Sequence, residues 1–390
     1  MRGFLPKENP LSTLPKEYYP VEELQRTLPE IFGTKHARPY LAKFPPIEVD
    51  FQKLTHPQIV AIARNCLFAG SAFVHNHGEP TANYIPQNLA HLMVSACDHL
   101  RVPPILSYQF YCLNNWQFIG PEETFDPENL HIIQGFIPDD CENWFIVIHT
   151  AIERAAGPAL LALAGAQELA LDGRFMDRVK EVKDQLLVVR DSLEKMIQVL
   201  RRMPEKCRPE DYYHRVRPQI KGFDGVIYEG VEKFGGKPQY FRGETGAQSS
   251  IIPAFIRYLG IRHQDSALTK HLDDMLNYMP RQHRWFLQNG PVQTNDGSSV
   301  IRDYVISKLP GTFWTQVSLW MRRYYPDGKV ARLKETYNDC LKLLHEFRTI
   351  HLGYAITYIQ ERTGDRTGTG GTPYVPWLTQ MRDETLNFLL

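Results

Sequence analysis

His351, His149, Arg217, Arg348 and two glycine-rich loops carry the residue types that could do chemistry in this 390-residue sequence. His351 falls in a stripe formed by Leu333, Tyr337, Cys340, Leu344, Phe347, Tyr354 and Tyr358, whose gaps of three and four wind along one helical face. A titratable imidazole therefore points into the same dry layer as the aromatics. Phe347, Tyr354 and Tyr358 line that stripe as a flat aromatic cofactor would require, and Arg348 could reach an anionic group at its edge. A neutral imidazole offering Nε2 to iron suits haem. A hydrogen-bonded core histidine is the commoner occupant of such a position, and periodicity leaves both readings open.

His149 follows Phe145 by four residues and precedes Ile152 by three, so it too lies on an apolar helical face. Arg217 ends the run DYYHRVR, with Tyr212 and Tyr213 nearby; an arginine beside aromatics can clamp the carboxylate of an apolar substrate, although a surface arginine is the default. FRGETGAQSS (Phe241 to Ser250) and GTGGT (Gly368 to Thr372) fit neither a P-loop nor a dinucleotide fingerprint. The amides of Gly243–Ala247 could receive an anion or simply start a helix. GTGGT could be a tail or a closing lid. HNHGEP, from His75 to Pro80, lacks a third metal ligand at suitable spacing and reads as a turn. No GxSxG, HExxH, carboxylate dyad or Cys–His arrangement gives hydrolysis a foothold.

The elements that must position these groups are nearly all helical. Helices are expected after Pro57 and Pro86, each with proline in its first turn. PPILSYQFYCLNNW reads as a short aromatic helix. Phe175, Val179, Val182, Leu186, Val189, Leu193, Met196 and Leu200 define a bundle helix. Others fit Trp144 to Ala156, Ile251–Gly260, Ser266–Tyr278, Gln282–Leu287, Val300–Leu309 and Val330 to Gln360. The proline-rich first fifty residues read as an extended arm draped over something larger. Strand-like alternation is scarce, so an all-α protein is expected. A small N-terminal domain (1–138) and a large helical domain (139–390) would meet at the polar loop Ile137–Glu142.

Lys+Arg and Asp+Glu both total 44, and this zero balance gives no pull toward nucleic acid or an anionic membrane. The longest apolar run, Pro158 to Ala166, is too short to span a bilayer. The six cysteines show no CxxC, CxxCH or zinc spacing, and the start MRGFLPKENP is not a signal peptide. Reduced thiols in a cytoplasmic protein are therefore expected.

Taken together, PPILSY, the F-x-x-x-H helix with ERAAG, YYHRVR, GVIYEG, FRGETGAQSS, YMPRQHRWFL, the FRTIH helix and GTGGT resemble indoleamine 2,3-dioxygenase, a haem enzyme that opens the indole ring of tryptophan. The matches run in one order from about Pro103 to the C-terminus. The resemblance implies haem b on a large helical domain, with O2 and L-tryptophan or a related indole as substrates and an N-formylkynurenine-type product. It implies His351 as the iron ligand, Arg348 near the propionates, and Gly243, Thr245 and Gly246 over the haem edge. Tyr108, Tyr111, Phe145 and Tyr212 would line the substrate pocket, Arg217 would grip the carboxylate, and Thr369 would belong to the mobile substrate-side loop. His149 stands where the animal enzymes carry serine and looks more like tryptophan 2,3-dioxygenase; Tyr111 replaces a smaller residue. A non-catalytic haem sensor or carrier, and an enzyme of the same superfamily acting on a tryptophan derivative, are the alternatives.

Overall fold

A computed structural model gives the fold and describes residues 2–172, 177–294, 298–308, 328–364, 367–369 and 371–390. The N-terminal arm is not extended. It holds α1 (Tyr19–Ile31) and α2 (Ala37–Ala42). Pro20 sits in the first turn of α1, where its missing N–H costs nothing, and Val21, Leu24 and Leu28 bury one stripe. Proline count misled here because an amphipathic spacing was hidden between the rings.

The expected helices after Pro57 and Pro86 are α3 (His56–Val74) and α4 (Gln87–Leu100). Thr55 and Gln58 form a capping box at the start of α3. The helix of His149 is longer than its apolar core suggested: α5 spans Asp140–Asp172 and carries Pro158 inside. Helix α6 (Val179–Leu200) is the bundle helix; Phe175 lies outside the described residues. Then come α7 (Pro209–Asp211), α8 (Ile251–Leu259), α9 (Ala267–Met275), α10 (Arg281–Asn289) and α11 (Val300–Lys308). The His351 helix is α12 (Gly328–Ala355); α13 (Glu361–Thr363) and α14 (Tyr374–Leu386) complete the set.

Helix α6 packs between the two histidine helices, touching both α5 and α12. The Cys340 thiol on α12 reaches the Leu186 carbonyl of α6 at 3.4 Å, and the Trp144 indole N–H of α5 donates to Arg202 O at 2.9 Å. Both α3 and α5 have the length and apolarity to cross a bilayer, but 89% and 72% of those stretches are buried inside the protein, so they are core helices.

Strand content is small. β1 (Tyr84–Ile85) pairs parallel with β4 (Phe223–Tyr228), which pairs antiparallel with β5 (Gln239–Phe241), while β2 (Gln117–Phe118) and β3 (Leu130–His131) form a separate ladder. The all-α expectation therefore holds, and one apolar core runs from Leu24 through Trp144 to Tyr358.

The aromatic segment expected as a short helix is a π-helical turn at Gln109–Leu113. Further π turns occur at Tyr212–Val216 and at Ile356–Gln360, directly after α12. Each carries a pocket tyrosine. π turns often appear at functional sites because the extra residue re-aims the side chains.

Leu344 is fully buried in the α12 stripe. Leu344→Ala is expected to cost about 2–5 kcal/mol through lost burial and a cavity. A lower denaturation midpoint measures it, and an unchanged midpoint would mean that the α12 stripe is not a load of the core.

Candidate active site

Protein surrounds the imidazole of His351 and depresses it to about 4 by desolvation; charge on His149 and Arg348 acts in the same direction. Yet the residue keeps an open face, and neighbouring Gly353 has nothing within 4 Å of where a Cβ would stand. No hydrogen bond to His351 occurs among the described residues. A core histidine would be hydrogen-bonded. This ring is instead accessible, with both ring nitrogens unused.

Helix α5 supplies the opposite wall. His149 is half-buried, and it lies near enough for its charge to be felt at His351. Its Nδ1 stands 2.7 Å from the Phe145 carbonyl, one turn back. That oxygen only accepts, so Nδ1 carries the proton and Nε2 is left with a lone pair. Burial lowers the pKa of His149, which keeps the ring neutral.

Aromatic rings connect the two histidine helices. Phe145 lies 4.4 Å from His149, centroid to centroid, and 4.9 Å from Tyr212, which lies 5.8 Å from Tyr358. Tyr108 meets His149 edge-on at 5.9 Å, and Tyr111 stands 6.4 Å from Phe145. The expected pocket residues are thus brought together around His149.

Three buried glutamates behind these rings were not singled out as site residues in the sequence. Glu153 Oε1 accepts from the Tyr108 hydroxyl at 3.0 Å and from Ser249 Oγ at 2.7 Å. Glu142 accepts from Tyr111 OH at 3.2 Å and from the amides of Phe136 and Ile137 at 2.8 and 3.0 Å. Burial outweighs these bonds and pushes both carboxyls up to about 7. The signal was available for two of them: Glu142 and Glu153 stand seven residues before and four after His149, on one face of α5. Glu244 had no such signal.

The loop Phe241–Ser250 closes the pocket. A Cβ on Gly243 would meet Ile220 O at 2.3 Å, so only glycine lets the loop pass this close to the backbone. Thr245 accepts from the Ala247 amide at 3.4 Å and caps the turn Gly246–Gln248, while Gly246 faces open space. Gln248 ties the loop to the pocket wall, accepting from Tyr108 N and donating to Gly243 O, both at 2.9 Å.

Arg217 is buried rather than superficial, and its Nη2 donates to Thr367 O at 2.6 Å. Thr369 of the glycine-rich segment donates through its hydroxyl to Glu244 O. The segment thus rests on both Arg217 and the loop, as a lid would; Gly370 lies outside the described residues. Arg348 is also buried, with Nη1 on Met381 O and on Thr385 Oγ1 (2.6 Å) of α14 and Nη2 3.4 Å from His263 Nε2. Burial lowers it to about 10, so it remains cationic, and its charge reaches His351.

Elsewhere the six cysteines are unbridged, but Cys141 and Cys207 approach to 2.7 Å between sulfurs beneath Tyr358. Their separation of 66 residues concealed this contact.

Comparison with known proteins agrees with this arrangement. The model of the family described as indoleamine 2,3-dioxygenase matches residues 1–388. Indoleamine 2,3-dioxygenase 2 of Mus musculus is 29% identical over 100% of this chain and 93% of its own length. Indoleamine 2,3-dioxygenase 1 of Rattus norvegicus is 28% identical over 98% of this chain and 92% of its own. A 6-hydroxytryptophan 2,3-dioxygenase of Fusarium equiseti is 27% identical over 99% and 95%.

Burial raises the Glu244 carboxyl from 4.5 to about 8. The folded chain then holds a proton that the unfolded chain releases, so this group's contribution to stability is full below about 4.5 and is lost as pH climbs to about 8. The stability of the wild type minus that of Glu244→Gln should therefore fall across this window. Melting curves of both proteins against pH measure it; a flat difference would contradict the buried carboxyl.

Proposed function

This chain belongs to the indoleamine 2,3-dioxygenase family, and on that premise we propose that it is a haem-dependent dioxygenase acting on L-tryptophan or a close derivative, with an N-formylkynurenine-type product. The carrying observation is the accessible, unbonded ring of His351, near enough to His149 for charge to be felt between them. The donor set fits haem b: a neutral imidazole for iron, a flat aromatic surround, and a buried cation, Arg348, toward the propionate side. Gly243, Thr245 and Gly246 would run along the opposite edge. When bound, the haem supplies dioxygen activation for insertion of both oxygen atoms across the indole C2–C3 bond.

The chain's own residues position the substrate and exclude water. Arg217 receives the carboxylate, and its bond to Thr367 couples that contact to the lid. Tyr108, Tyr111, Phe145 and Tyr212 enclose the indole in an apolar pocket. The lone pair of His149 Nε2 accepts the indole N–H; in this tautomer the atom has no proton to give, so it orients the ring and does not donate to an oxygen ligand. A gas carrier would need neither a carboxylate clamp nor a lid over it. The six unbridged cysteines favour a reducing compartment, which supports a cytoplasmic location.

Haem-loaded, reduced protein should consume tryptophan in air and release a product with the near-ultraviolet absorption of a formylkynurenine. His351→Ala is expected to lose the Soret band; haem retained at wild-type affinity would sink the ligand assignment. His149→Ala should keep haem and lose roughly 2- to 10-fold in turnover efficiency, the worth of one neutral hydrogen bond. Arg217→Ala should raise KM by about tenfold or more, because charge-assisted contacts are stronger. An unchanged KM would remove Arg217 from the carboxylate.

A further inference from the structure

Cys141 and Cys207 meet beneath Tyr358 with 2.7 Å between their sulfurs, and both are buried. Among the described residues no other two of the six cysteines bring their sulfurs into contact. The segments that carry the pair are fastened on either side of it. The Cys141 amide donates to Asp139 Oδ1 at 2.6 Å, and Asp139 in turn is held by Arg215. Three residues further along α5, the Trp144 indole N–H donates to Arg202 O at 2.9 Å, five residues before Cys207. The Cys207 amide donates to Met203 O at 3.3 Å, and its carbonyl accepts from the Tyr358 hydroxyl at 2.6 Å. The two thiols are therefore held face to face by bonds that do not involve either sulfur.

A single buried thiol is ordinarily an inert packing group. Two in contact are different, because an S–S bond of about 2.05 Å needs only roughly 0.7 Å of further approach from this separation. Among the described residues no group of three or more His, Cys, Asp or Glu side chains gathers to hold a metal ion, so the pair lacks the further ligands that a thiolate-bound metal takes. Contact with Cys141 and then burial push the Cys207 thiol well up, so it keeps its proton and the pair stays reduced until an oxidant persists. Solvent is one residue away, since Asp140, Lys206 and Arg208 are all exposed. A molecule as small as a peroxide therefore has a short way in.

We propose that Cys141 and Cys207 are a redox-modification site: a peroxide converts the two thiols into a disulfide, and a dithiol reductant restores them. One sulfur, as thiolate, attacks a peroxide oxygen; the O–O bond breaks, hydroxide leaves and takes up a proton as water, and the sulfur becomes a sulfenic acid. The second sulfur gives up its proton and attacks the first; the S–O bond breaks, the S–S bond forms, and a second water leaves. Two thiols lose two electrons, and one peroxide is reduced to two waters. The new bond spans 66 positions and joins the start of the His149 helix to the segment that leads into the Tyr212 turn. Tyr212 stands between Phe145 and Tyr358, at 4.9 and 5.8 Å, so the disulfide stiffens the aromatic wall from which the pocket is built. The thiol chemistry is independent of the dioxygenase reading, and iron is kept out of its test.

Full-length protein, with any haem iron blocked by cyanide, is treated with hydrogen peroxide, and the remaining thiols are alkylated after denaturation. Two of the six thiols should disappear, and peptide mapping with fragmentation should find Cys141 joined to Cys207. Dithiothreitol should restore both. In the oxidised protein, hydrogen exchange at the Tyr212 and Tyr358 turns should slow by about threefold or more, and the melting temperature should rise. Peroxide-treated Cys207→Ser should show neither the bond nor the added protection. Absence of the Cys141–Cys207 bond in the treated wild type, a bond that dithiothreitol leaves intact, or exchange at the two turns unmoved by the bond overturns the proposal. Should Cys207→Ser fail to fold, the wild type before and after treatment decides.

Discussion

The site turns on an imidazole that the fold leaves accessible and without a hydrogen-bond partner among the described residues. Ordinarily the interior pairs its polar groups, because an unpaired one costs about 1–3 kcal/mol. His351 stands outside that rule because it is exposed, on a helix whose buried groups obey it. Below it on the same stripe, Leu333, Tyr337, Cys340 and Leu344 are fully buried, and the Tyr337 hydroxyl finds Leu259 O at 2.5 Å. The exception begins where the stripe reaches His351 and Gly353. Just beyond, the helix widens into its π turn. The packed half of α12 against α6 provides the stability on which the open half depends.

Similar logic governs the facing wall. Tyr108 and Tyr111 hand their hydroxyls to Glu153 and Glu142 behind them, and Tyr358 gives its own to Cys207 O at 2.6 Å. With those polar ends held away, the rings offer aromatic faces to the pocket. Two glutamates are thus structural anchors despite their raised pKa values. The same burial that costs them their charge strengthens each hydrogen bond they receive. What the pocket itself retains is small: a lone pair on His149 and the carboxyl of Glu244.

How much of this was visible in the sequence depended on whether a group obeyed a period. His149 and the α12 stripe from Leu333 to Phe347 did, and their faces were assigned correctly, whereas His351, expected in the same dry layer, is exposed. Arg217 and the lid had no period, but their neighbours in sequence, the tyrosines and glycines, marked them. Spacing favoured the core-histidine reading of His351 over the ligand reading; its exposure and missing hydrogen bond speak against the core reading. The N-terminal arm went the other way, because proline was weighed as a breaker where Pro20 was a helix start. Glu244 stayed hidden for a different reason. In a loop each residue has its own direction, and nothing in FRGETGAQSS says which side chain turns inward.

That direction is set by Gly243. With a Cβ it would strike Ile220 O and Gly222 N, so the backbone can lie flat against this strip only at that residue. The next residue is then forced to start from the pocket wall, with its amide already bonded to Ile220. Thr369 closes over the following carbonyl. Lid, loop and carboxyl therefore form one mechanical unit. Arg217 bears on the same segment through Thr367.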